Sequence, residues 1–246
     1  MQFYPLDLNP RLIVITTNYS PSQKKLRSIL ILALAVWIPT LILLWLYKTA
    51  SSDEGAYHYQ AFFLSKGNIP VIDFFTTHAI WAHLPFAAII KLTNHSIEAA
   101  RLFSVFSVSA TVFMVTALIR KNFSLELAIY SFFMMAFSWT WIENNLEVRH
   151  SSVANLCLIS AVFVFFSWKD NALLRIFLVG LLLGIAVNSR IVLAPMGLIF
   201  LIIAVLLEKK KNTNLKIYPF ISVFVMGGLI PSLPTLYILF TDFNAS

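Results

Sequence analysis

The chain has 246 residues, of which 59% are hydrophobic and only 12% charged, and its mean hydropathy is +0.81. A water-soluble globule of this composition would leave too much apolar area facing solvent, so a soluble enzyme or soluble binding module is excluded and a lipid environment is required. The net charge of +7 does not point to nucleic acid, because the basic residues stand at the ends of apolar runs and not on one patch interleaved with stacking aromatics.

Met1 to Gln23 carries Pro5, Asp7, Pro10 and Pro21 before any long apolar core, which is not the pattern of a cleaved signal peptide. Lys24, Lys25 and Arg27 then read as the cytoplasmic flank of a retained first helix, so residues 1–27 are expected to be a cytoplasmic segment and 28–246 a transmembrane domain. A spanning helix needs about 20 mostly apolar residues. Ser28 to Tyr47 supplies the first, with Pro39 as a kink. A long loop, 48–96, follows. Within it Ser51 to Ser65 reads as a short helix ending near Gly67. Ala79 to Leu92 is apolar but reaches only about 21 Å at 1.5 Å per residue, so it is expected to be interfacial or re-entrant. Six further spans are predicted over Ile97 to Ile119, Ser124 to Trp141, Ser151 to Trp168, Ala172 to Val187, Ile191 to Leu207 and Ile217 to Phe240. In the fifth span Gly180 and Gly184 have the spacing that lets a neighbouring helix approach closely. The lone Cys157 lies in an apolar run, which rules out a disulfide framework. The fold class is therefore an all-α, polytopic helical bundle of about seven spans, with interfacial helices in its first loop.

Seven spans with the N-terminus inside place Arg11, Lys24, Lys25, Arg27, Arg120, Lys121, Lys169, Arg175, Lys209, Lys210, Lys211 and Lys216 on the cytoplasmic side, 12 of the 18 basic residues. The same arrangement gathers Asp53, Glu54, Asp73, Glu98, Glu143, Glu147, Asp242 and all five histidines outside. One face rich in carboxylates and imidazoles is either where polar-ligand chemistry sits or simply a set of polar loops.

Three clusters on that face bear on chemistry. Ser51-Ser52-Asp53-Glu54 has capping-box spacing, so Glu54 either reaches back to the Ser51 amide or joins a site; Asp53, in the first turn, is kept ionised by the helix dipole and suits a base. Asp73 either caps a turn after Pro70 or lines a site with His78, which itself either meets a phosphate at headgroup depth or is a hydrogen-bonded interface residue. In Glu143-Asn144-Asn145-Leu146-Glu147-Val148-Arg149-His150, Glu147 and Arg149 form an exposed ion pair or part of a composite site with the first loop. Arg190, in Asn188-Ser189-Arg190, neutralises a lipid phosphate or snorkels. No His-Glu-x-x-His, Walker or dinucleotide-binding spacing is present, and no cofactor is required; the oxygen-rich face leaves room for a divalent cation without demanding one.

Asp53-Glu54-Gly55-Ala56-Tyr57, then Gly67-Asn68-Ile69-Pro70-Val71-Ile72-Asp73-Phe74-Phe75, then His78, all after a first span, resemble the first outer loop of GT-C glycosyltransferases. The resemblance is closest to the bacterial protein-mannosyltransferase and ArnT-like group. Glu147-Val148-Arg149 entering a span, and Gly180 to Gly184 leading to Asn188-Ser189-Arg190, are similar to later segments of that family. The resemblance implies an inverting transfer of a sugar from a polyprenyl-phosphate carrier to a glycan, lipid or protein acceptor outside a bacterial cytoplasmic membrane. It makes Asp53 the general base, with Glu54 beside it, sets His78 and Arg190 near the lipid phosphate, and has Asp73, Glu147 and Arg149 shape the site. Two departures stand out. Ser151 occupies a position where many relatives have aspartate, and relatives continue through further spans, so the chain is expected to be a fragment, a truncated gene product or a minimal relative of a longer enzyme. The alternative from another class is a non-catalytic lipid-carrier binder, flippase or transport component holding the phosphate on Arg149, Arg190 and His78.

Overall fold

The computed structural model describes residues 21–47, 49, 51–76, 78–94, 96–211 and 217–243. The expectations for residues 1–20, Lys48, His95 and Lys216 fall outside the described residues. Eleven helices follow in chain order: α1 (Pro21–Tyr47), α2 (Ser52–Ser65), α3 (Leu84–Leu92), α4 (Ile97–Asn122), α5 (Leu125–Ala136), α6 (Trp139–Leu146), α7 (His150–Ser167), α8 (Ala172–Ser189), α9 (Ala194–Lys211), α10 (Ile217–Leu229) and α11 (Leu233–Phe243). Short 3₁₀ turns lead into α3 and α9 and join α10 to α11. Six segments are long and apolar enough to cross a membrane: Ser28–Tyr47, Ile97–Asn122, His150–Ser167, Ala172–Ser189, Ile191–Lys210 and Ile217–Ile238. The protein is an all-α, multi-pass membrane bundle.

The expected span from Ser124 to Trp141 is not one helix. α5 ends at Ala136, only about 18 Å from its start at 1.5 Å per residue, and the chain turns by 65° into α6. Counted together the pair makes a seventh crossing. The bend carries Asn144 and Asn145, whose amides bond back to Thr140 O and Trp141 O within α6, toward the polar end of the bundle. The segment before α4 is, as expected, too short to span: α3 has nine residues, with Pro85 in its first turn, and it buries Phe86, Ala87 and Ile90.

Trp37 and Leu41 of α1 pack on Val108 and Val112 of α4 and on Phe132 of α5. Trp45 Nε1 donates to Glu98 O (2.8 Å), fixing the end of α1 on the start of α4. Ala61 of α2, Phe86 and Ile90 of α3, Ala100 of α4 and Val153 of α7 form a second core beneath the polar end. At the other end a third core joins α7, α8, α9 and α10 through Phe165, Ile176, Val179, Ala204 and Phe220. There the Arg175 guanidinium is buried against Glu208 (2.8 Å) and Trp168 O (2.8 Å), so a residue read from sequence as a membrane flank is part of the core. Leu32, Leu206 and Met134 remain exposed on outward faces, as suits hydrocarbon contact.

The glycine spacing in α8 has a definite partner. A Cβ on Gly180 would collide with Phe224 O of α10, one on Gly184 with the Gly228 backbone, and one on Gly227 with Phe177 O. These are backbone obstacles, which cannot rotate aside. Gly184→Ala is therefore expected to destabilise by about 1–3 kcal/mol, the usual range for overpacking. Gly197→Ala, in α9 with open space at the Cβ position, is expected to be neutral or stabilising. Thermal melts of both variants in detergent decide it, and equal melting would show that α8 and α10 are not in backbone contact.

Candidate functional site

The first loop is held by the start of α2. Ser51 Oγ accepts the Glu54 amide (3.1 Å), which is half of the expected capping box. The other half is absent, because the Glu54 side chain turns inward. Its Oε1 accepts from Arg101 Nε (2.7 Å) and from the Val148 amide (3.2 Å), and its Oε2 accepts from the Arg101 guanidinium (2.6 Å). Glu54 is wholly buried and Arg101 nearly so. The pair is bidentate, the strong form of a charge-assisted bond, and it locks α2 to α4 and to the strand-like stretch before α7. With both oxygens engaged, Glu54 offers nothing to a ligand.

That lock sets its neighbours. Glu147, one residue before Val148, has its carboxylate against Arg149 Nε and accepts from Ser51 Oγ (3.0 Å); its carbonyl accepts from Ser104 Oγ (2.7 Å). Arg149 then reaches forward to Asp53 Oδ2 (2.9 Å) and Asn144 Oδ1 (3.3 Å). Asp53 is 65% exposed, whereas Glu147 is 6% exposed. Of the acidic groups in this cluster, Asp53 is thus the one presented outward.

Beside Arg149 lies an open cavity of about 630 Å³, lined by Trp141, Asn144, Asn145, Arg149, His150, Ser151, Asn155 and Arg190 among others. Its volume falls within the usual range for small-molecule sites. Two guanidiniums line it, one of them paired with Asp53, and the amide of Asn155 is oriented by Asn145 Oδ1 (2.8 Å). Ser151, where an aspartate was expected by resemblance, donates to Asn144 O (3.3 Å) and shapes the wall.

Behind His150 sits a nest of rings. His78 and His150 lie 4.4 Å apart between centroids, and Tyr57 packs on His78, His83 and His150 at 5.2–5.9 Å. The Tyr57 hydroxyl is 3.3 Å from His78 Nε2, and Thr76 Oγ1 is 3.2 Å from His83 Nε2. Burial holds His78 below the usual imidazole range. His83 is pushed down to about 4, by burial first and then by His78 and His150. The Tyr57 phenol is raised, chiefly by burial, with Arg149 opposing and Asp53 assisting.

The expected site residues therefore separate. Arg149 and Arg190 line one cavity, Asp53 and Glu147 are tied to it through their ion pairs with Arg149, and His78 lies against His150. Asp73 does not join them: its Oδ2 accepts the Ile69 amide (2.7 Å), closing the turn around Pro70 that carries Val71 at φ 72°. Arg101, Tyr57, His150, Asn145 and Asn155 were not singled out from sequence. Asn145 and His150 had a signal in the cluster around Glu147, and Tyr57 in the first-loop motif, whereas Arg101 and Asn155 had none. Among the described residues no group of three His, Cys, Asp or Glu side chains is placed to hold a metal ion.

Two expectations test this geometry. Removing one partner of a buried pair strands the other charge, at about 3–5 kcal/mol. Glu54→Gln should therefore reduce folded yield sharply, and Glu54→Gln combined with Arg101→Met should recover much of it, read by detergent size-exclusion. A double variant no better than the single one would mean the pair is not the lock described.

For His83 the folded-state value lies below the unfolded one of about 6.5. The unfolded chain thus binds more protons between pH 6.5 and 4, and stability falls as pH drops through that window, by an order of 3 kcal/mol. His83→Gln should flatten that fall in melts at pH 7.5 and 4.5, and an unchanged slope would count against it.

Residues 77–238, well over half of the chain, match the dolichyl-phosphate-mannose-protein mannosyltransferase family. The matched stretch contains His78, Glu147, Arg149, His150 and Arg190 and begins after Asp53 and Glu54. No curated protein matches the chain, and no solved structure does. On the family match, the helical membrane fold and the cationic cavity at one end of it, the chain belongs to the dolichyl-phosphate-mannose-protein mannosyltransferase family, GT-C-type glycosyltransferases that use a polyprenyl-phosphate-linked sugar donor.

Proposed function

We propose that the cavity beside Arg149 is the donor site, and that the protein moves a sugar, mannose by the family description, from its polyprenyl-phosphate carrier to an acceptor hydroxyl. The carrying observation is the exposed Asp53 carboxylate held 2.9 Å from Arg149, which lines a cavity together with Arg190. In this reading Asp53 accepts the proton of the acceptor hydroxyl, whose oxygen attacks the anomeric carbon. The bond from that carbon to the phosphate oxygen breaks, and the negative charge left on the carrier phosphate is stabilised by Arg149 and Arg190. Attack from the face opposite the phosphate inverts the sugar. Glu54 and Glu147 are positioning residues, since one holds Arg101 and Val148 and the other holds Arg149.

The excess of basic residues at the opposite end of the bundle supports an outward-facing site and an inside N-terminus, and the order of first-loop motifs supports the bacterial protein-mannosyltransferase and ArnT-like group in a cytoplasmic membrane. A carrier-binding or flipping role has no such support. Its polar groups would be expected near the bilayer midplane on broken helices, whereas here they gather at one end.

The test is Asp53→Asn. Arg149 holds Asp53 in the unliganded protein, so a donor phosphate and this carboxylate compete for one guanidinium. Single-turnover transfer should fall by about 10²- to 10⁴-fold, while affinity for the donor holds or rises. Near-normal transfer would remove Asp53 as the base, and a parallel loss of donor affinity would reassign it to binding.

A further inference from the structure

At the end of the bundle away from Asp53, the last turns of α4 and α7 diverge around a groove of about 420 Å³. It is lined by Leu118, Ile119 and Phe123 on one side and Ile159, Val162 and Phe166 on the other, with Asn122 among them. Asn122 adds no polar wall, because its amide donates back to Leu118 O (2.8 Å). The groove belongs to two membrane-spanning helices, so hydrocarbon is the medium that meets it. An unfilled concavity there would forfeit dispersion contacts along its whole lining.

Depth and charge identify what fills it. Lys121 donates from its ammonium to Phe166 O (3.3 Å), bridging the two helix ends at the mouth of the groove. It stands about 30 Å along α4 from Arg101, on the 1.5 Å rise per residue, and that is the thickness of the hydrocarbon core. With Arg101 near the site end, Lys121 therefore lies at headgroup depth of the opposite leaflet. An ammonium has three donors, and one is used. Arg120, Lys169, Lys209 and Lys210 are exposed at this same end, against the carboxylates of Glu126 and Asp170, while Glu208 is taken by Arg175.

We propose that this groove binds one anionic glycerophospholipid of the leaflet facing away from the candidate active site, with an acyl chain along Val115 to Phe123 and its phosphate on Lys121. The inference is independent of the reading of the donor cavity. It predicts a resident lipid in the protein as purified, at a site that takes no part in sugar transfer.

The test uses the full chain in nanodiscs of equal phosphatidylglycerol and phosphatidylcholine, released for native mass spectrometry. One phosphatidylglycerol per chain should be retained in preference to phosphatidylcholine. Lys121→Gln should weaken that preference by about fivefold, the effect of one basic residue at a membrane surface. Ile159→Trp, which fills the groove, should abolish retention of either lipid. Lys121 is exposed, so its variant remains informative if the tryptophan variant fails to fold. Equal retention of both lipids, retention unaffected by Lys121→Gln, or displacement of the bound lipid by added undecaprenyl phosphate would overturn the proposal.

Discussion

The buried pair of Glu54 and Arg101 is the interaction on which the polar end of the molecule depends. A carboxylate and a guanidinium removed from water are tolerable only when each is fully bonded, and here the Glu54 carboxylate takes three donors from α4 and the backbone before α7. A loop helix, a spanning helix and the entry to another spanning helix must meet in one register for that to happen. Asp53 and Arg149 are placed from this point: Asp53 is the residue before Glu54, and Arg149 is the residue after Val148. The two halves of the site are thus separated in sequence and one residue away from the same bond.

The remaining architecture isolates that end. Some polar side chains in the bundle satisfy their own helix, as Thr40 does with Val36 O and Ser107 with Phe103 O, and others gather beside the cavity, as Asn145 and Asn155 do. At the far end one ion pair, Arg175 with Glu208, is buried in the same fashion, and it joins α8 to α9. Between them α8 and α10 touch backbone to backbone at their glycines, which gives Arg190, at the end of α8, a stiff support.

The fold was legible where apolar length alone decides. Six spans, the interfacial segment after the first loop and the close-contact glycines of α8 follow from hydropathy and spacing, with ends moved by a few residues. The break between α5 and α6 was not, because Ser124 to Trp141 is mostly apolar and holds neither Pro nor Gly to force a turn. At the site, Asp53, Glu147, Arg149 and Arg190 were legible as polar residues beside span ends. The fate of Glu54 was not, since capping and burial ask for the same residue type at the same spacing. Only the distant Arg101 distinguishes them, and nothing local in the sequence ties it to Glu54. Asp73 was indistinguishable from a site carboxylate for a similar reason: a short-range turn and a long-range site leave one sequence signature.

The Trp81 indole, in the 3₁₀ turn ahead of α3, donates to Pro231 O at the junction of α10 and α11 (2.5 Å), across 150 positions of sequence. Beside it Asn188 of α8 donates to Ser232 Oγ (2.9 Å). A ribosome adding about 5–20 residues per second delivers Pro231 roughly 8–30 s after Trp81. For that interval the first loop has its anchor on α4 but lacks its partner at the last helices. The wall that carries His78 and His83 is therefore tied down in two stages, on α4 first and on the junction of α10 and α11 only after both of those helices have been made.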